Sequence, residues 1–454
     1  MGYFHPIQNL CSKLAHALYN SVWPGRWETN RSRRATIGQQ SRFSQLSTSE
    51  QDCYTLTALQ KLVDYCRREV PYYTELLKEF PSSFPMNFEE YRQMPPLDRK
   101  TVRNSRDSLL SHQFSKKDLI KYSSGGSSGE PISVYITSAD RGIGDAADQT
   151  LLRKIGGKPG NRIGTLYGGD LDVSAMPSLE RRLKNWFWNY SEHGCFRLDE
   201  QYLLKVHSDL QRFEPDVLLG YSSAIYLLAI TLKASGLRPG YPRFSVLTAA
   251  EKLEDKQRAL VEEVFRVPVV ERYGSRDAGL MAYQRPGDRR FWIDRSTYLL
   301  EPEDYPDDRG QASLLITRLQ VKGMPLLRYR IGDRATFPPN WSTHHPAGWL
   351  EEINGRILDF IYLPEGRKIH GSEFPHLFKD FDVTFYQVRQ GQDGNVVISI
   401  VPGKGFDHLQ QQHCERIIRE NLSGILVSFH YSSEIERTPQ NKLKPVISEY
   451  HQGE

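Results

Sequence analysis

A chain of 454 residues is too long for one ordinary hydrophobic core, so its length predicts at least two domains. Its content of 39% hydrophobic and 25% charged residues is typical of a soluble globular protein. The net charge of +4, without a basic stripe that carries interleaved aromatic residues, argues against a nucleic-acid partner. No apolar run approaches the roughly 20 residues that an integral membrane helix needs.

The cysteines and the N-terminal segment predict a cytoplasmic protein. The five cysteines are far apart and form no CxxC pair, which predicts neither a disulfide framework nor a zinc site and fits a reducing compartment. Residues 7–23 carry apolar side chains interrupted by polar ones, an amphipathic pattern unlike the unbroken apolar stretch of a signal peptide. Docking on the main domain and contact with a membrane surface are both open for this segment, and we favour docking.

Three segments in the first half of the chain have a recognisable pattern. Apolar residues at three- and four-residue steps predict helices over residues 55–80 and 200–212. Between them, the run Tyr122-Ser-Ser-Gly-Gly-Ser-Ser-Gly-Glu-Pro131 contains four serines and three glycines, and the strand-like segment 132–136 follows it.

Two interpretations of this Ser/Gly loop compete. Glycines let backbone N–H groups turn towards one point and serine hydroxyls add uncharged donors, so the loop would fit polyphosphate oxygens. The alternative is a flexible linker, which is the usual role of Gly/Ser clusters. The loop is not a Walker A motif, because no lysine occurs between Tyr122 and Arg141. If it holds a nucleotide, positive charge must come from a metal ion or from elsewhere in the chain.

Strands and helices alternate in the central third. The pattern predicts strands over 216–221, 244–248 and 267–272, separated by helices over 222–233 and 254–265. Short links between such elements favour a parallel sheet covered by helices, hence the α/β fold class. Ligands bind beyond the carboxyl ends of parallel strands. The segments at those ends are small or polar: Gly220–Ser223, Thr248–Glu251 and Tyr273–Gly279.

The last third predicts a second, smaller domain. Residues 312–319 and 335–337 are strand-like, and residues 348–356 look like the exit from the large domain. About a hundred residues follow, with a strand over 396–401 and a helix over 409–421, which is enough for a small domain. We therefore place the domains at residues 1–353 and 354–454.

Four motifs in this order resemble one known superfamily. They are the Ser/Gly loop, Tyr273-Gly-Ser-Arg-Asp277, Arg328-Tyr-Arg-Ile-Gly-Asp333 and Arg437-Thr-Pro-Gln-Asn-Lys442. Together they resemble the adenylate-forming superfamily of acyl-CoA synthetases and adenylation domains, most closely the branch of phenylacetate–CoA ligase and the CapK-like proteins. The resemblance covers essentially the whole chain. It implies a large N-terminal domain with helix-covered sheets and a small, mobile α+β C-terminal domain that carries the lysine motif.

By this resemblance, the Ser/Gly loop holds the β- and γ-phosphates of ATP, and Asp277 stands where the family has a glutamate that helps to bind Mg²⁺. Aspartate is a hard oxygen ligand that suits Mg²⁺ but is one methylene shorter than glutamate. The alternative for Asp277 is that it caps a helix beginning near Ala278. The phosphate-binding residues of the loop would be Ser123, Ser124, Gly125, Gly126, Ser127, Ser128 and Gly129.

The other implied nucleotide contacts come from several segments. Asp333 matches the aspartate that accepts hydrogen bonds from both ribose hydroxyls, and its alternative is an ordinary turn aspartate after Gly332. Arg356 lies at the junction of the two domains, where Leu358 departs from the family's usual acidic or lysine hinge residue. Five more residues complete the implied site: Ala250 and Glu251 along adenine, Tyr273 stacked on the base, and Gly274 and Ser275 beside it.

Lys442 resembles the lysine that enters the site for adenylation and withdraws when the small domain moves. It would supply the positive charge that the Ser/Gly loop lacks. Asn441 replaces the usual glycine, and both residue types tolerate left-handed backbone angles. The alternative is a solvated lysine in a basic tail with Lys444.

These residues predict a carboxylate ligase that uses ATP and Mg²⁺ and forms an acyl-adenylate. Coenzyme A is the acceptor that the resemblance implies, and an amine acceptor is the alternative within the enzymes. A nucleotide-binding scaffold without activity is the alternative from another class, for which Asp277 and Leu358 leave room. The carboxylic acid is unspecified by the sequence, and a homodimer is left open.

Overall fold

The computed structural model describes residues 27–123, 132–158, 160–167, 185, 188–195, 198–356, 360–364, 368–370, 374–378, 380–437 and 443–450. Contacts divide the chain into two compact units. The large unit runs to Ile331 and includes Ala335–Ile353, and the small unit contains Gly332–Arg334 and the chain from Asn354 onward. The predicted α/β fold, with a large and a smaller sheet-containing part, is confirmed.

The helices are numbered in chain order. They are α1 (Trp27–Phe43), α2 (Thr48–Glu69), α3 (Pro71–Leu76), α4 (Phe88–Tyr91), α5 (Arg99–Asn104), α6 (Ser138–Lys154), α7 (Glu200–Phe213), α8 (Ser222–Ala234), α9 (Asp255–Phe265), α10 (Phe374–Phe378) and α11 (His408–Asn421). None of these helices combines the length and the apolar character needed to cross a membrane.

The described strands of the large unit form three sheets. They are β1 (Ile120–Ser123), β2 (Ser133–Ile136), β3 (Ile163–Leu166), β4 (Tyr190–His193), β5 (Val217–Tyr221), β6 (Ser245–Ala249), β7 (Val269–Ser275), β8 (Gly279–Arg285), β9 (Asp288–Ile293), β10 (Tyr298–Pro302), β11 (Gln311–Arg318), β12 (Tyr329–Thr336), β13 (Trp349–Leu350) and β14 (Glu352–Arg356). Strands β12 and β14 continue into residues counted with the small unit.

The largest sheet has eight strands in the order β13-β9-β8-β7-β6-β5-β3-β4. Its five strands from β4 to β7 are parallel, whereas β7 pairs antiparallel with β8 and β8 with β9. Helices α8 and α9 cross between the parallel strands, because parallel neighbours cannot be joined by a tight turn. Their apolar faces form one core with β5 and β6, centred on Leu218, Ala229 and Val246. All five parallel strands therefore end at one edge.

Two smaller sheets complete the large unit. One has the order β10-β11-β12-β14, and its buried side chains belong to the largest core, with helices α2 to α5. The other is the hairpin β1–β2, in which Ser123 pairs with Ser133. The Ser/Gly loop predicted to bind phosphate joins these two strands, and its residues 124–131 lie outside the described residues, as does the amphipathic segment 7–23.

The small unit has its own sheet and core. Its strands are β15 (Phe360–Tyr362), β16 (Lys368–His370), β17 (Val383–Gln390), β18 (Val396–Pro402), β19 (Val427–Tyr431) and β20 (Val446–Ser448). Four of them pair in the order β19-β18-β17-β20, and α10 and α11 cover this sheet around Val388, Ile398 and Ile418.

Most element predictions agree with the structure, but one helix and one strand differ. The strand predicted over 335–337 overlaps only the end of β12, which begins at Tyr329. The central strands and helices lie within three residues of their predicted bounds. The helix predicted over 55–80 ends at Glu69, and α3 begins at Pro71. Proline has no N–H to donate to the preceding turn, so it breaks a continuing helix but is accommodated at the first position of the next one.

Helix α1 packs closely on α6 because α6 presents a glycine to it. A Cβ atom added at Gly142 would overlap the carbonyl oxygen of Thr29 and would lie 3.0 Å from the amide nitrogen of Arg33. The Ser32 hydroxyl donates a hydrogen bond of 2.8 Å to the carbonyl of Ala139 across the same contact. The two helix backbones therefore approach to a distance that leaves no room for a side chain.

We expect the Gly142→Ala variant to lose about 1–3 kcal/mol of unfolding free energy, because the added methyl group must displace backbone atoms of α1. The measurement is urea unfolding followed by circular dichroism. Gly144→Ala is the matched control, since it belongs to the same helix and a Cβ atom added there would have no neighbour within 4 Å. That control should be neutral or gain about 0.5–1 kcal/mol from the lower chain entropy of alanine. Equal midpoints for the two variants would contradict the close packing.

Candidate active site at the edge of the large sheet

The carboxyl ends of the parallel strands bring polar and aromatic side chains to one edge. Tyr167 follows β3, Cys195 follows β4, and Tyr221 ends β5. Glu251 follows β6, and Arg276 follows β7. Cys195, Glu251 and Arg276 lie within electrostatic range of both tyrosines, since all three affect the titration of Tyr167 and Tyr221. The strand ends at which the sequence predicted a crevice therefore do bring these side chains to one edge of the sheet.

Two tyrosines face each other at this edge. The rings of Tyr167 and Tyr221 have centroids 4.3 Å apart and an interplanar angle of 40°. Burial raises the pKa of the Tyr167 hydroxyl, and the neighbouring Arg272 and Arg276 oppose the rise. Burial also raises the pKa of Tyr221, with Tyr167 adding to it. Both hydroxyls therefore stay neutral at physiological pH.

Glu251 connects the loop after β6 to the start of α8. Its carboxylate accepts a hydrogen bond of 2.9 Å from the amide of Ser223, and its carbonyl accepts one of 2.8 Å from the Ser222 hydroxyl. The first amide groups of a helix lack intrahelical partners and favour negative charge, so this carboxylate stabilises the N-terminus of α8. Ala250 has a φ of +70°, an unusual value for a residue with a side chain that turns the loop at this point. Contact of Ala250 and Glu251 with adenine stays a prediction.

A buried ion pair supports the loop between β6 and α9, which carries Glu251. The guanidinium of Arg258 is ion-paired with Glu271 of β7 and donates a hydrogen bond of 2.7 Å to the Gln284 side chain. The other carboxylate oxygen of Glu271 accepts a bond of 3.2 Å from the amide of Leu253. Burial raises the pKa of Glu271, and Arg258 opposes the rise. This pair fixes the loop between β6 and α9, because a charge left unpaired there would be costly.

Asp277 lies in a tight turn between β7 and β8. The Ser275 hydroxyl accepts a hydrogen bond of 3.1 Å from the amide of Ala278, and Gly279 follows with a φ of +88°. A Cβ atom at Gly274 would lie 2.5 Å from the carbonyl oxygen of Gly279, so the strands approach too closely there for any side chain. The alternative that Asp277 caps a helix is wrong, because the chain reverses into a strand. Residues 278–285 carry no clear alternation of apolar and polar side chains that would have predicted strand β8.

The carboxylate of Asp277 is held by a tyrosine from the third sequence motif. The Tyr329 hydroxyl donates a hydrogen bond of 3.0 Å to Asp277 Oδ2. Tyr329 is fully buried at the start of β12, whereas Asp277 is half-buried. Two motifs that are separated in sequence therefore meet in one contact within the large unit. The base-stacking residue predicted beside them, Tyr273, is only 9% exposed and packs in the core, so its predicted role is untested.

The residues around Asp277 suit a magnesium ion that is shared with a phosphate ligand. The described ranges contain no group of three His, Cys, Asp or Glu side chains that could hold a metal alone. Mg²⁺ keeps several waters and is usually bound by one or two carboxylates together with substrate phosphates. A single carboxylate fixed by a neutral donor fits that requirement, since the bond to Tyr329 occupies one oxygen and leaves the charge in place.

The remaining predicted residues lie in or beside the small unit. Asp333 is a partly buried residue of β12 and follows Gly332, whose φ is +90°. Arg356 ends β14, and the hinge candidate Leu358 lies outside the described residues. Lys442 also lies outside them, whereas its flanks are described. Their predicted roles are therefore untested.

One buried glutamine joins the two flanks of the lysine motif. The side-chain amide of Gln387, which is 4% exposed, donates to the carbonyl of Glu436 at 3.2 Å and to the carbonyl of Lys444 at 3.0 Å. Its neighbour Val388 donates a backbone bond of 2.8 Å to the carbonyl of Pro445. The flanks of the motif are therefore tied to β17, the strand at the centre of the small sheet.

Sequence reasoning missed Tyr167, Cys195 and Gln387. The first two follow β3 and β4, short strands that precede the predicted strand–helix alternation. The run Arg162-Ile-Gly-Thr-Leu166 before Tyr167 carried a usable signal, because it is apolar and bounded by turn residues. Nothing in the sequence around Gln387 marks its side chain as a tie between distant carbonyls.

Comparisons with known proteins agree with this architecture. The sequence is 22% identical over 421 residues to Protein CapK of Staphylococcus aureus. The aligned region covers 87% of this chain and 90% of CapK. It is 26% identical over 209 residues to indoleacetate–lysine synthetase of Pseudomonas savastanoi. This aligned region covers 45% of the chain and 49% of the synthetase. No protein-family model matches the sequence.

A solved structure establishes the fold. The chain superimposes on 2-hydroxyisobutyryl-CoA ligase, crystallised in the postadenylation state with R3-HIB-AMP, with a TM-score of 0.68. The match covers 89% of this chain and 90% of the ligase at 15% identity. The protein therefore has the fold of the adenylate-forming ligases. The resemblance to that superfamily and to its CapK-like branch is confirmed.

We expect Gln387→Leu to raise the rate of amide hydrogen exchange in the peptides that contain Arg437 and Leu443, because two carbonyls lose their buried donor. The measurement is hydrogen-exchange mass spectrometry on the full chain. Gln390→Leu is the control, since Gln390 lies on the same strand and donates to Tyr362 and Gly394 instead. Faster exchange in both variants would indicate general loosening of the sheet and contradict a specific tie.

Proposed function

We propose that the protein activates a carboxylic acid as an acyl-adenylate with ATP and transfers the acyl group to coenzyme A. The observation that supports this most directly is the contact between Asp277 and Tyr329, which joins two motifs of the adenylate-forming resemblance. It occurs at the carboxyl edge of a parallel sheet, the usual location of ligand sites in such sheets. The chain also shares its fold with a solved enzyme that is named as a CoA ligase.

In the first half-reaction, a carboxylate oxygen of the substrate attacks the α-phosphorus of ATP. The bond from that phosphorus to the oxygen bridging the β-phosphate breaks, and pyrophosphate leaves. Two anions approach each other in this step, so catalysis requires groups that stabilise negative charge. In this proposal the Ser/Gly loop binds the β- and γ-phosphates, Asp333 binds the ribose hydroxyls, and Lys442 stabilises charge between the carboxylate and the α-phosphate.

Asp277 would hold Mg²⁺ together with the phosphates of ATP. The ion, when bound, neutralises charge on the phosphates and on the departing pyrophosphate. Arg276, adjacent in the turn, adds positive charge beside both tyrosines, whereas Arg272 on β7 is ion-paired with Asp148 at 2.6 Å. The placement of Arg276 favours an anionic substrate at this edge of the sheet.

In the second half-reaction, the thiol of coenzyme A attacks the acyl carbon of the adenylate. The thiol loses its proton, the bond from the acyl carbon to the phosphate oxygen breaks, and AMP leaves with a thioester as the product. A second candidate acceptor is an amine, which would give an amide. The partial relative whose name is indoleacetate–lysine synthetase favours that candidate.

We expect labelled pyrophosphate to exchange into ATP only when a suitable carboxylic acid is present. The experiment tests a panel of aryl, fatty, hydroxy and amino acids with MgATP and follows label in ATP. Product mass is then determined with coenzyme A or with lysine as the acceptor. If ATP binds but no acid in a broad panel supports exchange, the result contradicts the enzyme proposal and favours a nucleotide-binding scaffold without activity.

We expect Lys442→Ala to slow acyl-adenylate formation by about 10²–10³-fold, which is the typical cost of removing one group that stabilises transition-state charge. The affinity for ATP should change less, because the other proposed nucleotide contacts remain. The second half-reaction is measured separately, by supplying chemically prepared acyl-adenylate and the acceptor, and should proceed at the normal rate.

Lys444→Ala is the matched control for this prediction, because it removes a positive charge from the same segment at a position assigned no role. Its adenylation rate should match that of the unmodified protein. Equal losses in both half-reactions of Lys442→Ala would contradict a lysine that serves adenylation alone.

A further inference from the structure

The turn that carries Asp277 receives hydroxyl groups from two buried tyrosines. Tyr329 donates to the carboxylate Oδ2 of Asp277 at 3.0 Å, and Tyr298 donates to the carbonyl of Ala278 at 2.6 Å. Both tyrosine side chains are fully buried. One hydroxyl therefore fixes the backbone of the turn, and the other fixes the functional group that the turn presents.

Tyr329 is itself held firmly from both sides along the chain. The carbonyl of Arg328 accepts a bond of 3.0 Å from the amide of Leu97, and the amide of Arg330 donates one of 2.9 Å to the carbonyl of Leu97. The guanidinium of Arg328 pairs with Glu301 in the protein interior, with Nε 2.6 Å from Oε1. A donor on such a rigid segment can define the orientation of the partner that accepts its bond.

The neutral character of this donor matters for a metal ligand. A guanidinium or ammonium in the same place would neutralise the carboxylate and compete with a cation. A tyrosine hydroxyl restrains the carboxylate and leaves its full charge and its second oxygen available. Asp277 is also one methylene shorter than the glutamate that the resemblance implies at this position, so its reach depends more strongly on a fixed orientation.

We infer that Tyr329 is a positioning residue that orients the Asp277 carboxylate towards the Mg²⁺ of bound MgATP. The inference rests on the proposed function, because it requires that the nucleotide and its metal bind at this turn. Groups that orient metal ligands from outside the coordination sphere typically change metal affinity or activity by about 10–100-fold when they are removed. Tyr329 acts through Asp277 and has no contact with the reacting atoms in this assignment.

The test is calorimetry of ATP binding to the full-length protein, with excess Mg²⁺ and separately with the metal chelated. Tyr329→Phe should weaken binding by on the order of 10-fold in the presence of Mg²⁺. It should leave the affinity for metal-free ATP unchanged, because the variant keeps the ring and loses only the hydroxyl. In an Asp277→Ala background the same substitution should have no further effect, since residues acting through one group are not additive.

Tyr298→Phe is the matched control, because it also removes one buried hydroxyl from the same turn but does not touch the carboxylate. Its affinity for MgATP should change by less than about twofold if orientation of Asp277 is what counts. Thermal unfolding of all variants separates loss of folding from loss of affinity.

Three results would overturn the inference. They are an unchanged MgATP affinity in Tyr329→Phe, equal losses in the two tyrosine variants, and a loss in Tyr329→Phe that is independent of Mg²⁺. ATP binding by the unmodified protein distinguishes failure of this inference from failure of the proposed function. If that protein binds no ATP with or without the metal, both fall, whereas normal binding with unresponsive variants removes only the role of Tyr329.

Discussion

The direction of the parallel strands is the constraint on which the candidate site depends. Five strands from β4 to β7 end at one edge, so the loops after them are brought together whatever their sequences. After β7 the chain reverses through a tight turn into β8 instead of crossing over by another helix. That reversal keeps Asp277 at the edge, beside the loop that carries Glu251, and lets a tyrosine from β12 reach its carboxylate. A helical crossover at this point would have carried the chain to the far end of the sheet.

Buried ion pairs fix two of the segments that bring polar groups to this edge. The ion pair of Arg258 with Glu271 holds the loop after β6, and the pair of Arg328 with Glu301 holds the strand that carries Tyr329. Buried pairs of this kind add little net stability, because desolvation offsets their attraction. Removal of one partner is nevertheless costly, so such a pair allows few alternative arrangements. The fold therefore fixes its loops through contacts that specify geometry more than they stabilise the chain.

The sequence predicted the parts of the fold that depend on local pattern. The strands and helices between residues 216 and 275 follow from apolar periodicity, and the crevice follows from the rule that ligands bind at the carboxyl edge. Contacts between distant segments carry no such local signal. Neither the bond from Tyr329 to Asp277 nor the tie from Gln387 to both flanks of the lysine motif could be read from the chain, because each depends on how separate elements pack. The helix cap given as the alternative for Asp277 is wrong, since a helix cap and a hairpin turn use the same small and acidic residues.

In the proposed function, the charges at the edge of the sheet allow two tyrosines to face an anionic ligand. Arg276 and the Asp148-paired Arg272 lie near Tyr167, and the Glu251 carboxylate accepts a hydrogen bond from the Ser223 amide at the start of α8. Burial raises the pKa of both Tyr167 and Tyr221, so their hydroxyls remain neutral donors and add no negative charge. An ionised tyrosine would repel a carboxylate, whereas a neutral one can donate a hydrogen bond to it. The tilted tyrosine pair and Arg276 therefore bring neutral donors and positive charge to this edge, and in the proposed function the turn with Asp277 adds the carboxylate that binds the metal ion.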